Sequence, residues 1–471
     1  MSTLTVRSSA EVYDVVVVGG GVSGSVAAIA AARCGARVLL AEEHGFLGGS
    51  LTAMGVGPMM SFHNPAGEQV VRGIPDEIIG RLQARGASLG HISDTTTYCS
   101  TVTPFDSEEL KIELETMLTE AGGTVLFHTQ LAGTELSGDG LAAAVLCNKA
   151  GLTAVRAKIF IDATGDADLA ARAGAAFTHG RAGDGLAQPM TMNLKLANVD
   201  TAAIRDYARK NPGDFLWWPV GEAEGLRRLE SSPRISLAGF LGAWNAARAR
   251  GEIDVPRDQV RFFETPVPGV VIVNTSRIAG LDATDPFQLS RAEMMGRRQC
   301  AQIFRFLQEH AVGFGAAVRM DTAAKIGVRE TRHVAGLYTL TADDLARSRP
   351  FADAIALGGY PMDIHSPAAE TTITTSLPPT TCYQIPLRSL LVARPDNLVV
   401  VGRCIDATHE AAAAFRVTPI SMAIGQAGGV VAAIAAARDE KPAAVPFPLV
   451  RARLLAQGAQ LPAAEQGALS A

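Results

Sequence analysis

Hydrophobic positions along this chain gather in short continuous runs more often than in alternating stripes, and that pattern predicts the fold class. Val15-Val16-Val17-Val18 is a β-branched run of the kind buried on both faces of a parallel sheet. Gly19-Gly20-Gly21-Val22-Ser23-Gly24 follows, then a small-residue helix from Val26 to Gly35, with Gly35 closing it. A second buried strand, Arg37 to Ala41, ends at Glu42-Glu43. Ser107 to Ala121 reads as a helix with acids in its first turn, and Thr124 to His128 as a short strand. Residues 131–157 do alternate, around Gly138-Asp139-Gly140 and Gly151, which predicts antiparallel hairpins. Lys158 to Asp162 is a further buried strand, running into Ala163-Thr164-Gly165-Asp166.

From residue 186 to 380 the strand–helix rhythm is lost. That stretch holds Trp217-Trp218, a strand-like Val270 to Val273 and a helical pattern from Leu289 to His310. The rhythm returns with a buried strand from Asn397 to Val401, Gly402-Arg403-Cys404, and a long helix from Pro419 to Ala437. The expected architecture is α/β: a discontinuous Rossmann-like dinucleotide domain with an α+β substrate domain inserted. Its pieces are 1–185, the inserted 186–380, the return segment 381–440, and an Ala- and Pro-rich tail 441–471 expected on the surface.

The first forty residues carry the chemistry. Strand, G-x-G-x-x-G turn, helix, second strand and acid stand in the order that dinucleotide binding requires. Gly19 permits the tight turn, Gly21 lets the backbone approach a pyrophosphate, and Gly24 allows close helix–sheet contact. Free amides at the helix start favour phosphate. Glu42 is placed to accept from a ribose hydroxyl.

Composition narrows the classes. Of 471 residues, 48% are hydrophobic and 19% charged, which excludes disorder and coiled coil. A net charge of -5 gives no reason to expect nucleic acid as a partner. The mean hydropathy of +0.17 raises a membrane. However, Val15 to Ala32 is broken by glycines and serines, and Gly428 to Ala437 is too short to span. Met1 to Ala10 is mostly polar, without a signal-peptide core, so a cytoplasmic chain with no membrane span is expected. Six cysteines lie far apart with no Cys-x-x-Cys, so no cluster or metal site is expected. Five read as buried thiols, and Cys404 beside the late Gly motif is assigned to packing for want of a partner cysteine.

The stretches GGGVSGSVAAIAAARCGARVLLAEEHGFLGGSLTA, IDATGDADLAARAGA, GVRETRHVAG and NLVVVGRCIDATHEAAAAFRVTPISMAIGQAGG resemble the bacterial FAD-dependent oxidoreductase family. That family is related to fumarate reductase and succinate dehydrogenase flavoproteins and to glutathione-reductase-type proteins. The likeness runs from about residue 12 to about residue 440. It implies non-covalent FAD, with Gly19, Gly21 and Gly24 at the pyrophosphate and Glu42 at the adenosine ribose. It also implies Gly48, Gly49 and Ser50 near the flavin ring, and Leu131 touching the adenine. Thr164, Gly165 and Asp166 would lie beside the adenosine half, and Gly402 and Arg403 along the ribityl–phosphate arm. The amides of Ile420 and Ser421 would face the flavin N1–C2=O edge, where a helix N-terminus stabilises negative charge. Arg403 departs from the acid that many glutathione-reductase-type proteins carry there. His44 lies near the Gly-Gly loop but outside the covalent-attachment motif, and reads as a loop residue.

Candidates for catalysis stand near the return into the nucleotide domain. Arg416, three residues before the last helix, is placed either to clamp a carboxylate over the flavin or to meet a phosphate or solvent. His365 is an acid/base candidate or a solvated loop histidine. Arg388, Tyr383 and Tyr360 are further polar candidates. Arg329, Glu330 and Arg332 form a charged cluster, read as an ion-pair network with substrate binding as the alternative. His409-Glu410 reads as a structural hydrogen-bonding pair. Trp217-Trp218 suits a lid, a core or a subunit contact, so a homo-oligomer stays open. The predicted function is hydride transfer between a small organic molecule and flavin N5, by dehydrogenation or C=C reduction. The alternative is a flavin-binding electron-transfer subunit of a complex. No second G-x-G-x-x-G appears, so the external electron donor or acceptor is undetermined.

Overall fold

The structure, a computed structural model, describes residues 5–367, 372–375 and 382–463. The expected boundary at 380/381, the first four residues and residues 464–471 of the tail lie outside them.

The β-branched run at Val15–Val18 ends a longer strand, Val6–Val18, that pairs in parallel with Val38–Ala41 on one side and Gly151–Asp162 on the other. Thr124–Leu126 adds to Val38–Ala41, and Leu398–Val400 adds to the end of Gly151–Asp162, so five strands run parallel. Gly151–Asp162 has two kinds of partner. Its first half closes an antiparallel meander with Gly140–Asn148 and Gln130–Ser137, and Phe160–Asp162 belong to the parallel layer. The last part of the alternating pattern at 131–157 and the buried run after it therefore belong to one strand.

Helix Val22–Arg33 lies against helix Thr418–Arg438. Their seam is made of small residues because the backbones touch. A Cβ at Gly425 would run into the Ser23 carbonyl, and one at Gly429 into that of Ala27. Thr418–Arg438, with 21 residues, is the one helix among the described residues long and apolar enough to cross a membrane. Of its most apolar window, 83% is buried inside the protein, so packing accounts for its composition. The expected helix from Pro419 to Ala437 is found; the apolar run Gly428–Ala437 alone is shorter because Thr418, Ser421 and Gln426, all buried, precede it. The tail forms helix Phe447–Ala456, docked through Val450 and Leu454.

A second, antiparallel sheet has the order Ser236–Gly239, Val260–Glu264, Val271–Val273, Leu194–Ala197, Val318–Thr322. It packs with helix Pro286–His310 around a core that draws on Met190 to Val328. Residues from Val334 to Met362 pack instead in the core of the parallel sheet, so the stretch 186–380 is shared between two cores.

Candidate functional site

A cavity of about 510 Å³ runs from the Gly-rich turn to the inner side of the second sheet. At its nucleotide end Gly19 has φ +101°, a left-handed conformation that favours glycine, and a Cβ there would meet the Ala163 carbonyl. Gly24 cannot carry a Cβ either, because the Gly19 carbonyl occupies that place. Gly21 is different: a Cβ there would meet only the Gly49 Cα, at 4.0 Å. The turn is thus closed on the protein side and open on the cavity side, the shape a pyrophosphate fills.

Around this turn the predicted nucleotide residues converge. Glu42 lines the cavity and accepts from the amides of Gly20 at 2.6 Å and His44 at 2.8 Å, leaving carboxylate lone pairs for a ribose. Burial raises the Glu42 pKa against the pull of those amides. Gly49 and Ser50 line the cavity, while Gly48 ties their loop to the turn by donating to the Gly20 carbonyl at 2.9 Å. Leu131, Thr164, Gly165, Asp166, Gly402 and Arg403 line it as well. Arg403 pairs with Asp166 at 2.6 Å, and Lys325 with Glu43 at 2.7 Å. Burial works against the Asp166 carboxylate, yet Arg403 and Lys325 hold its pKa below the ordinary value. Glu42, Glu43 and His44 bring ligand atoms within 4.8 Å of one another, but Glu42 is engaged by amides and Glu43 by Lys325.

One expected contact needs correction. The Ser421 amide donates to the Val417 carbonyl at 2.9 Å as part of the helix, so it is not free to face a flavin. Ile420 is fully buried and absent from the cavity lining, whereas Thr418 and the Ser421 side lie on it. Because Pro419 has no amide, the free donors of this terminus are fewer than its sequence suggested.

The other end is built around Asp363. This buried carboxylate accepts from the Tyr98 hydroxyl at 2.8 Å, from His365 Nε2 at 3.1 Å and from the Tyr360 hydroxyl at 3.3 Å. Arg416 stands 3.7 Å from its Oδ2 and donates to its backbone carbonyl at 3.2 Å. Burial alone would raise the Asp363 pKa; His365 and then Arg416 bring it well below the usual range. His365 is buried, not solvated, and its pKa is pushed well below the usual value, chiefly by burial. Arg277 lies 3.4 Å from its Nδ1 and can only donate, so Nδ1 accepts and the ring proton sits on Nε2, toward Asp363. Arg329 lines the same end, donating to the Pro189 carbonyl at 2.6 Å and to Thr191 Oγ1 at 2.7 Å. Arg257 and Arg261, which the sequence gave no reason to single out, complete the lining.

Other candidates fall elsewhere. Arg388 is not at the cavity: it pairs with Asp353 at 3.0 Å, half-exposed, on a 3-10 turn that faces outward. Glu330 pairs with neither neighbouring arginine. It is buried between His409 at 2.8 Å and His333 at 3.1 Å, and Arg332 turns to Asp168. His409 is therefore bonded to Glu330, not to Glu410. Trp217 belongs to the second core and Trp218 is half-exposed beside Tyr98, 6.0 Å between ring centres. Burial raises the Cys404 thiol far above its usual range, in keeping with packing.

A family model supports the cofactor these residues suit. No curated protein matches the chain by sequence. Among solved structures it is similar to a geranylgeranyl bacteriochlorophyll reductase-like protein from Thermoplasma acidophilum. That match has 14% identity over 96% of this chain and 84% of that one, with a TM-score of 0.46. It is also similar to p-nitrophenol 4-monooxygenase from Pseudomonas putida, at 12% identity over 96% and 85% of the two chains and a TM-score of 0.47. A myxobacterial FAD-dependent chondrochloren halogenase matches at 13% over 90% and 73%, with a TM-score of 0.44. The model of FAD dependent oxidoreductases matches residues 14–454. That span takes in both the Gly-rich turn and the arginine-lined end of the cavity, and the chain belongs to the FAD-dependent oxidoreductase family.

Proposed function

We propose that this oxidoreductase exchanges a hydride between flavin N5 and a carbon of a small organic substrate, in a dehydrogenation or in reduction of an activated C=C bond. One observation carries the reading: the nucleotide cradle and the Asp363–His365–Arg416 group line the same cavity. When bound, FAD supplies the redox chemistry at its ring. The chain's part is to hold both reactants and manage charge. Gly19, Gly21 and Glu42 receive the pyrophosphate and ribose, with Gly49, Ser50, Leu131, Thr164–Asp166, Gly402 and Arg403 along the rest of the cofactor, while Gly24 and Gly48 keep the turn and its loop in shape.

Arg416 has a buried Nε–H with no partner, so it can donate to an oxygen that gains negative charge during the reaction. Asp363 holds Arg416 in place through its backbone carbonyl, and His365 through the Nε2 proton keeps Asp363 ionised. Arg329, anchored on Pro189 and Thr191, flanks them. Anaerobic stopped-flow mixing of the FAD-loaded protein with NADH, NADPH and a panel of organic acids tests the reading. Bleaching of the flavin absorbance by a donor, and its return with an acceptor, is the expected result. Purified protein that is colourless and takes up no FAD overturns it.

A further inference from the structure

The alternation of the second sheet turns two asparagines toward the cavity. Met190, Met192, Leu194 and Leu196 pack in the second core, so Thr191 and Asn193 between them face the other way, onto the cavity. Thr191 is satisfied there: its hydroxyl donates to the Ser276 carbonyl at 3.1 Å and accepts from Arg329 at 2.7 Å. Asn193 is only half satisfied. It is 3% exposed, its Nδ2 donates to the Met54 carbonyl at 2.8 Å, and its Oδ1 is buried with no partner among the described residues. The Met54 carbonyl requires a donor, so the amide cannot turn round, and its free end is an acceptor. Asn274 takes the next place on the adjacent strand, one step beyond the Leu194–Val273 pair. It lines the cavity too, its Oδ1 is likewise buried without a partner, and no bond fixes which way its amide points. An acceptor buried and left unmet is costly, and two stand here side by side.

Their place along the cavity says what meets them. Across the sheet the row reads Arg261, Asn274, Asn193, Ala323: the Asn274 amide donates to the Arg261 carbonyl at 2.9 Å, and the Ala323 amide to the Asn193 carbonyl at 3.0 Å. Arg261 stands over the ring of Tyr98, 5.3 Å from its centre, and Tyr98 bonds to Asp363. At the other side of the row, two residues beyond Ala323, Lys325 reaches Glu43 at the nucleotide end. Met54, which Asn193 holds, is tied back to Gly49 by its amide at 3.2 Å, in the loop bonded to the Gly-rich turn. The asparagines thus stand between the nucleotide end and Asp363. We propose that Asn193 and Asn274 are cofactor-binding residues contributed by the second sheet: Asn193 Oδ1 accepts from flavin N3–H, and the Asn274 amide turns to donate to a ring carbonyl beside it. N3–H is the one N–H of the oxidised ring, and a carbonyl flanks it on either side, so two carboxamides match that edge. The proposal rests on FAD as the cofactor and not on the hydride reading. The second sheet thereby takes part in choosing the cofactor, because a nucleotide without this edge keeps the Gly-rich turn and loses these contacts.

Calorimetric titration of the flavin-free protein with FAD, with FAD methylated at N3, and with ADP, which carries only the adenosine and pyrophosphate, tests this. The parent binds FAD about tenfold more tightly than the N3-methyl form, which leaves the buried acceptor unmet. Asn193→Leu lowers FAD affinity about tenfold, binds the two flavins alike and keeps the parent's affinity for ADP. Asn274→Leu, which breaks no side-chain bond within the described residues, lowers FAD affinity about threefold and leaves the melting temperature of the flavin-free protein unchanged. Parent protein that binds both flavins equally overturns the assignment, and gives the Asn193 acceptor to a ribityl hydroxyl where Asn193→Leu still weakens FAD. Parent-like FAD affinity in Asn193→Leu overturns it as well, as does ADP affinity that falls in step with FAD in both variants. The two readings fail separately. Discrimination at N3 in a flavin that no donor bleaches retains this site and removes the reaction. Bleaching in a protein indifferent to N3-methylation does the reverse.

Discussion

The two ends of the cavity treat charge in opposite ways. At the nucleotide end nearly every charged side chain has a partner within the protein: Arg403 with Asp166, Lys325 with Glu43, Arg332 with Asp168, and Glu42 with two backbone amides. At the inner end, among the described lining residues, four arginines gather about one aspartate, and three of them keep an unpartnered N–H. The first end pairs its charges within the protein, although the Arg403 Nε–H there is also buried without a partner. The second leaves several buried donors without a partner.

The sharpest way to break this contrast is Asp363→Asn. It removes the one carboxylate from among the arginines, and loss of one partner of a buried charge group costs about 3–5 kcal/mol. Urea unfolding at pH 7 should show that fall; stability within 1 kcal/mol of the parent would mean the arginines do not need Asp363. At the other end, Gly24→Val forces a side chain into the Gly19 carbonyl, and overpacking of this kind costs about 1–3 kcal/mol. Here the expected reading is loss of flavin absorbance from the purified protein, which inner-end variants should keep.

Glu330 lies at the seam between the two ends, next to Arg329, and bonds to His333 and His409 while Gln188 donates to it. Burial opposes its charge, but the two histidines hold its pKa down to about 2. A carboxylate depressed on folding stabilises the protein above its unfolded pKa, about 4.3, and that contribution fades as pH falls toward the folded value. Glu330→Gln should thus be less stable than the parent at neutral pH by about 1–3 kcal/mol, with the gap closing between about pH 4.5 and 2. Urea midpoints at pH 7 and pH 3 check this; an equal gap at both would remove the ionic role. The smallest effect belongs to Arg388→Ala. Its half-exposed pair with Asp353 should contribute under about 1 kcal/mol, with turnover and flavin content unchanged.

The same contrast governs what the sequence made legible. The nucleotide end is written in contiguous residues, since a strand, a tight turn and a helix start must follow one another to make it, so Gly19 to Glu42 could be read directly. The inner end is assembled from residues 257, 261, 329, 363, 365 and 416, which no local spacing relates. Arg416 and His365 were accessible through their nearness to the last helix and to turn-forming neighbours. Arg257 and Arg261 had no such signal; Arg261 stands on strand Val260–Glu264 of the second sheet, and Arg257 in the loop that enters it. Arg388 failed for the converse reason, since nearness in sequence to the return strand says nothing of which way a 3-10 turn points. Glu330 was misread because sequence neighbours on extended chain face opposite sides: Arg329 reaches the cavity and Glu330 the interior.

The seam between Val22–Arg33 and Thr418–Arg438 has a consequence for the order in which the molecule is made. The helix that starts at the Gly-rich turn has as its partner a segment almost four hundred residues later, and Phe160–Asp162 likewise wait for Leu398–Val400. At about 5–20 residues per second, a ribosome leaves the first helix without that partner for tens of seconds. Its alanine and glycine face stays bare until then, so the nucleotide cradle is backed by its full packing only once the late helix has arrived.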